Sequence, residues 1–340
     1  MPRSCSAPPR DGIIGIIRKP PIYSEVPKER KNTILRKTCR FGRWCSLLLS
    51  LCLLWSCSAD PAPARLHEAG DTGYIPLSDA PLEVEIDAPQ AFVYDREAGE
   101  LLYKKGADTA LYPASTAKLL TILYALTLLE ESAEVTPGDE LELVREGSSS
   151  AYVRSWHTLT VEMLVEGMLL PSGNDAAYAL AAAAGRVLTG NSSRSGKDAV
   201  AAFMDGMNAY AAQLGMCGSH FTSPDGYMDA GQYSTLEDMA LLAALAVQNP
   251  LIMRYAGLTS DDVVYASGHT NTWLNTNQML HPESRWYDSA VTGLKTGTAS
   301  STNFALIVSD SRFIVGVFTA AADTERYASA AALLAAARAR

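Results

Sequence analysis

The chain has 340 residues, 48% hydrophobic and 19% charged, which is enough apolar content for one large domain or two medium ones and too much for a disordered chain. Its formal net charge of −9 hides an asymmetry, because residues 1–57 carry 11 Lys/Arg against 3 Asp/Glu and the remainder carries 17 against 34. An acidic body of this kind excludes nucleic acid as the main partner, since phosphate binding needs a basic face.

The first 57 residues read as a basic leader. Arg36, Lys37, Arg40 and Arg43 precede an apolar run from Leu47 to Trp55, which ends in Leu54-Trp55-Ser56-Cys57. A charged region, a short apolar core and then small residues read as an export signal, and the run is too short for a comfortable membrane span. Leu-Trp-Ser-Cys is similar to a bacterial lipoprotein processing site, with Trp55 a departure from that pattern. Either Cys57 becomes the lipidated first residue, or the segment is cleaved as an ordinary signal or stays as an anchor. Cys5, Cys39, Cys45, Cys52 and Cys57 all fall in the leader. Beyond Cys57 the body keeps only Cys217, so no disulfide framework is expected and Cys217 reads as a small core or surface thiol. Residues 58–84 read as a tether.

The rest, 85–340, reads as one folded region. Ala91 to Tyr103 is two apolar runs around a Glu-Ala-Gly turn, a β-hairpin. After Pro113 the spacing predicts a helix over 115–129, with further helices over 159–170, 174–188, 199–214 and 235–248. A second β-rich region follows: Val291 to Thr298 is strand-like, and Phe304–Val308 and Phe313–Thr319 are runs flanking a plausible turn. An Ala-rich helix, 324–338, closes the chain. Strands at both ends and helices between them predict an α+β fold. Its antiparallel sheet is assembled from the two chain ends and flanked by helices, with an all-helical subdomain over roughly 130–250 inserted in it.

Three short motifs carry chemistry. In Pro113-Ala-Ser115-Thr-Ala-Lys118, positions i and i+3 share a helical face, so Oγ and Nζ meet, and the helix N-terminus adds free N–H groups. A serine hydroxyl needs a neighbour to accept its proton, and a lysine does so only when neutral. In Leu170-Pro-Ser172-Gly-Asn174-Asp, Ser172 and Asn174 flank a glycine at a break between two predicted helices. Ser172 would relay a proton and Asn174 would orient Lys118 and hold a substrate carbonyl; the ordinary alternative is a helix cap. In Gly293-Leu-Lys295-Thr296-Gly297-Thr298, on a predicted strand, Lys295 offers charge for a substrate carboxylate and Thr296 a hydroxyl. Gly297 would remove the side chain where a ligand backbone lies. Taken alone, this motif is an edge strand with a protective lysine.

Together, in this order, the motifs form the signature of penicillin-recognising serine enzymes. The chain resembles the low-molecular-mass penicillin-binding proteins that are serine-type D-alanyl-D-alanine carboxypeptidases. The likeness covers about residues 85–338 and includes Phe221-Thr-Ser-Pro-Asp-Gly and Gly231-Gln-Tyr-Ser-Thr-Leu-Glu-Asp-Met-Ala. It implies a β-lactamase/transpeptidase-like fold, Ser115 as nucleophile and Lys118 as its base. Ser172 and Asn174 would complete the network, and Lys295, Thr296 and Gly297 would line the binding strand. Backbone N–H groups of Ser115 and Thr298 would form an oxyanion hole, and Arg326 would help hold the substrate's terminal carboxylate. The implied partners are peptidoglycan stem peptides ending in D-Ala-D-Ala and β-lactams, outside the cytoplasmic membrane, with attachment through the N-terminus. Asp225 stands where many relatives carry His. The chain stops about 45 residues after Lys295, where many relatives continue into a small β domain and an amphipathic anchor.

A β-lactamase shares the motifs but needs a carboxylate-activated water, and no Glu-x-x-Leu-Asn segment lies between Ser172 and Lys295. A zinc peptidase needs clustered ligands, whereas His67, His157, His220, His269 and His281 are scattered, so neither metal nor cofactor is expected. A non-catalytic penicillin-binding or scaffolding module is opposed by the intact motif residues.

Overall fold

A computed structural model describes residues 75–340. The leader 1–57 and the first part of the segment read as a tether lie outside the described residues. The end of that segment is not a free tether. Ser78 N–H donates to the Leu101 carbonyl (2.8 Å), Leu82 N–H donates to the Leu102 carbonyl (2.6 Å), and Ile75 is buried. Apolar residues spaced along an extended strip give this stretch a strand edge to lie on.

The sheet has five antiparallel strands in the order β2-β1-β9-β8-β7. They are β1 (Gln90–Asp95), β2 (Glu100–Lys105), β7 (Gly293–Ser300), β8 (Asn303–Ser309) and β9 (Phe313–Ala320). The two ends of the chain therefore build one sheet, as the order of predicted elements requires. Both faces are covered, which explains why the strands read as continuous apolar runs rather than alternating ones. Ala91, Val93, Val315 and Val317 face the last helix, α7 (Asp323–Arg338), whose Tyr327, Ala330, Leu333, Leu334 and Ala337 recur at helical spacing. Phe92, Ile307, Ile314 and Phe318 belong to the core shared with the helices of the middle of the chain.

Those helices are α1 (Lys118–Ala125), α2 (Val161–Leu169), α3 (Asn174–Leu188), α4 (Gly196–Gln213), α5 (Leu236–Ala246) and α6 (Pro250–Ala256). The predicted helix over 115–129 divides into a 3-10 turn, Ala114–Ala117, and the shorter α1. Alanine along α3 lets its neighbours approach: a Cβ on Gly185 would overlap the α4 backbone at Ala199. Two small two-stranded sheets complete the fold, β3 (Glu134–Val135) with β4 (Leu159–Thr160) and β5 (Ser260–Val264) with β6 (Thr270–Leu274). Neither these nor α6 follows from the sequence reading, although Asn249 before Pro250 is a legible start signal. The Asn249 side chain caps the N–H groups of Leu251 and Ile252, and proline sits at the first helical position. Cys217, read from sequence as a thiol outside any disulfide, is disulfide-bonded, which corrects that reading.

Candidate active site

The first motif lies where α1 is launched. Pro113 fixes the chain ahead of the 3-10 turn, and Ala114 takes φ +49°, a left-handed conformation that costs a residue with a Cβ about 1–2 kcal/mol. The strain is held from outside. Gly226 (φ +78°) packs on the Ala114 carbonyl, which a Cβ there would overlap. From the opposite side, β7 reaches the turn at Gly297. A Cβ on Gly297 would stand 2.9 Å from the Ala114 Cβ and 3.2 Å from the Pro113 carbonyl oxygen. The glycine therefore lets the strand approach the nucleophile's own turn.

Lys118 follows one turn later and is fully buried. Its Nζ donates to Ser115 Oγ (2.9 Å), Asn174 Oδ1 (2.8 Å) and the Asp225 carbonyl (2.8 Å). Burial pushes the ammonium down to about 8, against the carboxylates of Asp225 and Asp175, which favour its charge. A lysine in this state is neutral in a useful fraction near neutral pH and lies in contact with the hydroxyl it would deprotonate.

Asn174 arrives through the turn after α2. Ser172, almost fully buried, takes φ +62°, and the Gly173 N–H donates to the Gly167 carbonyl (2.8 Å). Asn174 begins α3, so it orients Lys118 and does not cap the helix by its side chain. Asp175, which the sequence reading left without a role, fastens the neighbouring loop. Its carboxylate accepts from the N–H groups of Ala151 (2.8 Å) and Val153 (2.9 Å) and from Ser150 Oγ (2.6 Å). The buried Trp273 of β6 donates its indole N–H to the Ala151 carbonyl (2.9 Å), tying the β5–β6 hairpin to the same loop.

On β7, Lys295 is buried and donates to the Thr296 carbonyl (3.0 Å). Burial, and then the charges of Lys118 and Arg326, hold it well below the ordinary lysine range. Thr296 shares a hydrogen bond with Thr276 (2.5 Å), whose N–H donates to the Leu170 carbonyl (3.2 Å); the strand is thus tied to the loop carrying Ser172. Nothing in the sequence marks Thr276. Arg326 is buried and bonds within the protein, Nη1 donating to the carbonyls of Gly297 (2.9 Å) and Ala305 (3.0 Å) and Nη2 to Asp323. These bonds make Arg326 a brace behind β7.

Ser115, Asn174 and Thr298 line one cavity of about 270 Å³, together with Glu146, Ser148, Asp225 and Tyr227. A hydroxyl, a lysine in contact with it, an amide oxygen and an edge of β7 converge there. Among the described residues no cluster of His, Cys, Asp or Glu suits a metal ion. The site is built for nucleophilic attack by a serine on a carbonyl.

Comparison with known proteins follows the same line. Residues 77–321 match the family described as D-alanyl-D-alanine carboxypeptidase. A D-alanyl-D-alanine carboxypeptidase of Streptomyces sp. (strain K15) is 31% identical over 259 residues, 73% of this chain and 84% of that one. DacF of Bacillus subtilis (strain 168), a protein of the same description, is 28% identical over 74% of this chain and 62% of its own length. The match spans 53% of DacA of Escherichia coli (strain K12). Among solved structures, the Streptomyces K15 DD-transpeptidase superimposes with a TM-score of 0.67 at 28% identity, covering 76% of this chain and 99% of that one. Penicillin-binding protein D2 from Listeria monocytogenes, in its ampicillin-bound form, gives 0.60 at 26% identity, covering 75% and 98%.

Proposed function

The chain belongs to the D-alanyl-D-alanine carboxypeptidase family, and from that premise we propose that it removes the terminal D-alanine from peptidoglycan stem peptides through an acyl-enzyme on Ser115. The observation that carries this reading is the buried Lys118, bonded at once to Ser115 Oγ and Asn174 Oδ1. Neutral Lys118 takes the hydroxyl proton as Ser115 Oγ attacks the carbonyl carbon between the two D-alanines. The C–N bond then breaks, and D-alanine leaves with the proton returned to its amine. Water adds to the resulting ester, releasing the shortened peptide acid and restoring the serine. Backbone N–H groups of Ser115 and Thr298 receive the oxyanion, a role that both residues' place on one cavity supports. Each such donor stabilises the transition state by about 3 kcal/mol. Ser172 relays a proton, and Lys295 and Thr296 meet the substrate's terminal carboxylate. β-Lactams acylate the same serine. The reaction takes place outside the cytoplasmic membrane, where the basic leader and its apolar run deliver the protein as a lipid-anchored, signal-anchored or secreted form.

Intact-mass analysis after penicillin treatment, with peptide mapping, tests the assignment. One adduct on the Ser115 peptide is expected, absent from Ser115→Ala, together with free D-alanine released from a cell-wall pentapeptide. An adduct on another peptide, or one that survives Ser115→Ala, would overturn it.

A further inference from the structure

The loop between Ser149 and Thr158 carries the two most exposed aromatic side chains among the described residues, Tyr152 (60% exposed) and Trp156 (65%). Large rings left in water mark a contact surface, above all on a loop held rigid by the scaffold. Tyr152 takes φ +59°, a left-handed conformation disfavoured for a residue with a Cβ. The backbone is clamped on both sides of it. Asp175 takes the N–H groups of Ala151 and Val153, and the Ala151 carbonyl takes donors from Trp273 (2.9 Å) and Asn271 (3.0 Å). Trp156 stands on a turn closed by the His157 N–H on the Arg154 carbonyl (3.0 Å). Its ring rests edge-on against His157, which packs in turn on His269 and Tyr265, with ring centres 4.4 Å and 4.9 Å away. Strain and clamping thus hold two rings where they touch little of the protein itself, and strain retained in a fold points to a function there.

Resting on the reading above, we infer that Tyr152 and Trp156 dock the saccharide that carries the stem peptide, each ring stacking on the C–H face of an amino sugar while Arg154 donates to sugar oxygens. The loop continues the wall of the catalytic cavity: Ser148 and Ser149 line that cavity with Ser115, and Tyr152 follows three residues later. A ligand bound on the loop therefore arrives with the peptide being cleaved. A sugar ring has a flat face of C–H groups rimmed by hydroxyl and amide groups, which suits an aromatic ring with a donor beside it. Arg154 is that donor. Its guanidinium carbon stands 6.0 Å from the centre of the Tyr152 ring, and among the described residues it bonds only to the Val153 carbonyl (2.9 Å), from one of its five N–H groups. Exposed rings also suit a lipid headgroup layer, but charge opposes that occupant. Beyond residue 57 the chain carries 17 Lys/Arg against 34 Asp/Glu, and an anionic leaflet repels such a body. The saccharide is uncharged where its carboxyl is taken up in the amide to the peptide.

The test uses the full chain and two substrates, an N-acetylated pentapeptide ending in D-Ala-D-Ala and the same pentapeptide on an N-acetylglucosaminyl-N-acetylmuramyl disaccharide. The disaccharide is expected to raise kcat/KM for D-alanine release about tenfold, the scale of two aromatic contacts, chiefly through a lower KM. Trp156→Ala and Tyr152→Asn should each cut that preference about threefold, with the rate on the free pentapeptide and penicillin acylation of Ser115 unchanged. Asparagine tolerates a left-handed φ, so Tyr152→Asn should keep or raise the urea midpoint, which separates a lost contact from a lost fold. Equal kcat/KM for the two substrates, or a preference that survives both substitutions, would reject the saccharide site. So would binding to phosphatidylglycerol vesicles that falls in both variants while the substrate preference stays, since the rings would then serve a lipid surface. Acylation and pentapeptide cleavage without a saccharide preference remove this inference alone. Absence of both acylation and cleavage in the unmodified protein removes the carboxypeptidase reading as well.

Discussion

Lys118 and Lys295 are equally buried and sit in one site, yet their surroundings differ. Lys118, on the helical side, has three acceptors within 2.9 Å and two carboxylates nearby, so that burial takes it down only to about 8. Lys295, on the strand side, has one carbonyl acceptor and two cationic neighbours, Lys118 and Arg326, and is held well below its ordinary range. A buried ammonium keeps its proton in proportion to the acceptors and anions around it. The helical side is thus arranged to exchange a proton near neutral pH. Among the described residues no anion shifts Lys295, and a carboxylate arriving beside it would favour its charged form.

The largest expected effect comes from breaking the helical side. Lys118→Ala should slow penicillin acylation by about 10²–10⁴-fold, the span of general-base catalysis, with the circular dichroism spectrum unchanged. In the unmodified protein the acylation rate should rise with pH through an apparent pKa of about 8, because the neutral lysine is the base. Asp225→Asn removes a carboxylate that favours the ammonium, so it should move that rise to lower pH. A rate independent of pH between about 6 and 9 would mean that the base is another group.

The strand side is tested next, through its fit. Gly297→Ala places a methyl 2.9 Å from Ala114 Cβ, and the strand or the Ser115 turn must give way. A displacement of this kind should cost about 10²-fold in acylation with little loss of stability. Arg326→Leu acts one layer further out. It removes charged donors from the Gly297 and Ala305 carbonyls and should cost about 3 kcal/mol in urea unfolding, with a smaller loss of rate. If Arg326→Leu keeps its stability and loses activity entirely, Arg326 touches substrate and is more than a brace.

This division marks what the sequence makes legible. Ser115, Lys118, Asn174 and Thr298 are named by their motifs, because catalytic chemistry restricts residue type and local spacing. The strands and most helices are legible from apolar patterning over long runs. Gly297 and Arg326 are visible as residues, but what they touch is decided by β7 meeting a turn about 180 residues away, and local pattern carries no such record. Asp225 is legible only as a residue beside Gly226; that it lines the cavity depends on the packing of a whole loop. The β5–β6 hairpin is missed for a related reason. Its outward Val264 and Leu274 are exposed while Trp273 is buried, so its hydrophobic pattern does not mark a core face.

Glu166 is the acidic counterpart of the two lysines and gives the smallest effect. It lies on α2, one turn before the loop that carries Ser172, and its Oε1 is buried without a partner among the described residues. Burial first, then the facing Asp261 and Glu162 carboxylates, push it up from 4.5 to about 8. Glu162 is itself bonded to Tyr255 Oη (2.7 Å) and to Arg254, so that arginine is already engaged. Between pH 4.5 and 8 the folded chain therefore holds a proton that the unfolded chain has lost, and stability falls as pH rises through that window. Glutamine keeps the shape and does not titrate. Glu166→Gln should leave acylation unchanged, since Glu166 does not line the cavity, and should flatten the decline in urea midpoint between those two pH values. Parallel declines in the two proteins would show that Glu166 is ionised throughout, and that a buried carboxylate beside two others finds compensation which neither lysine of the active site requires.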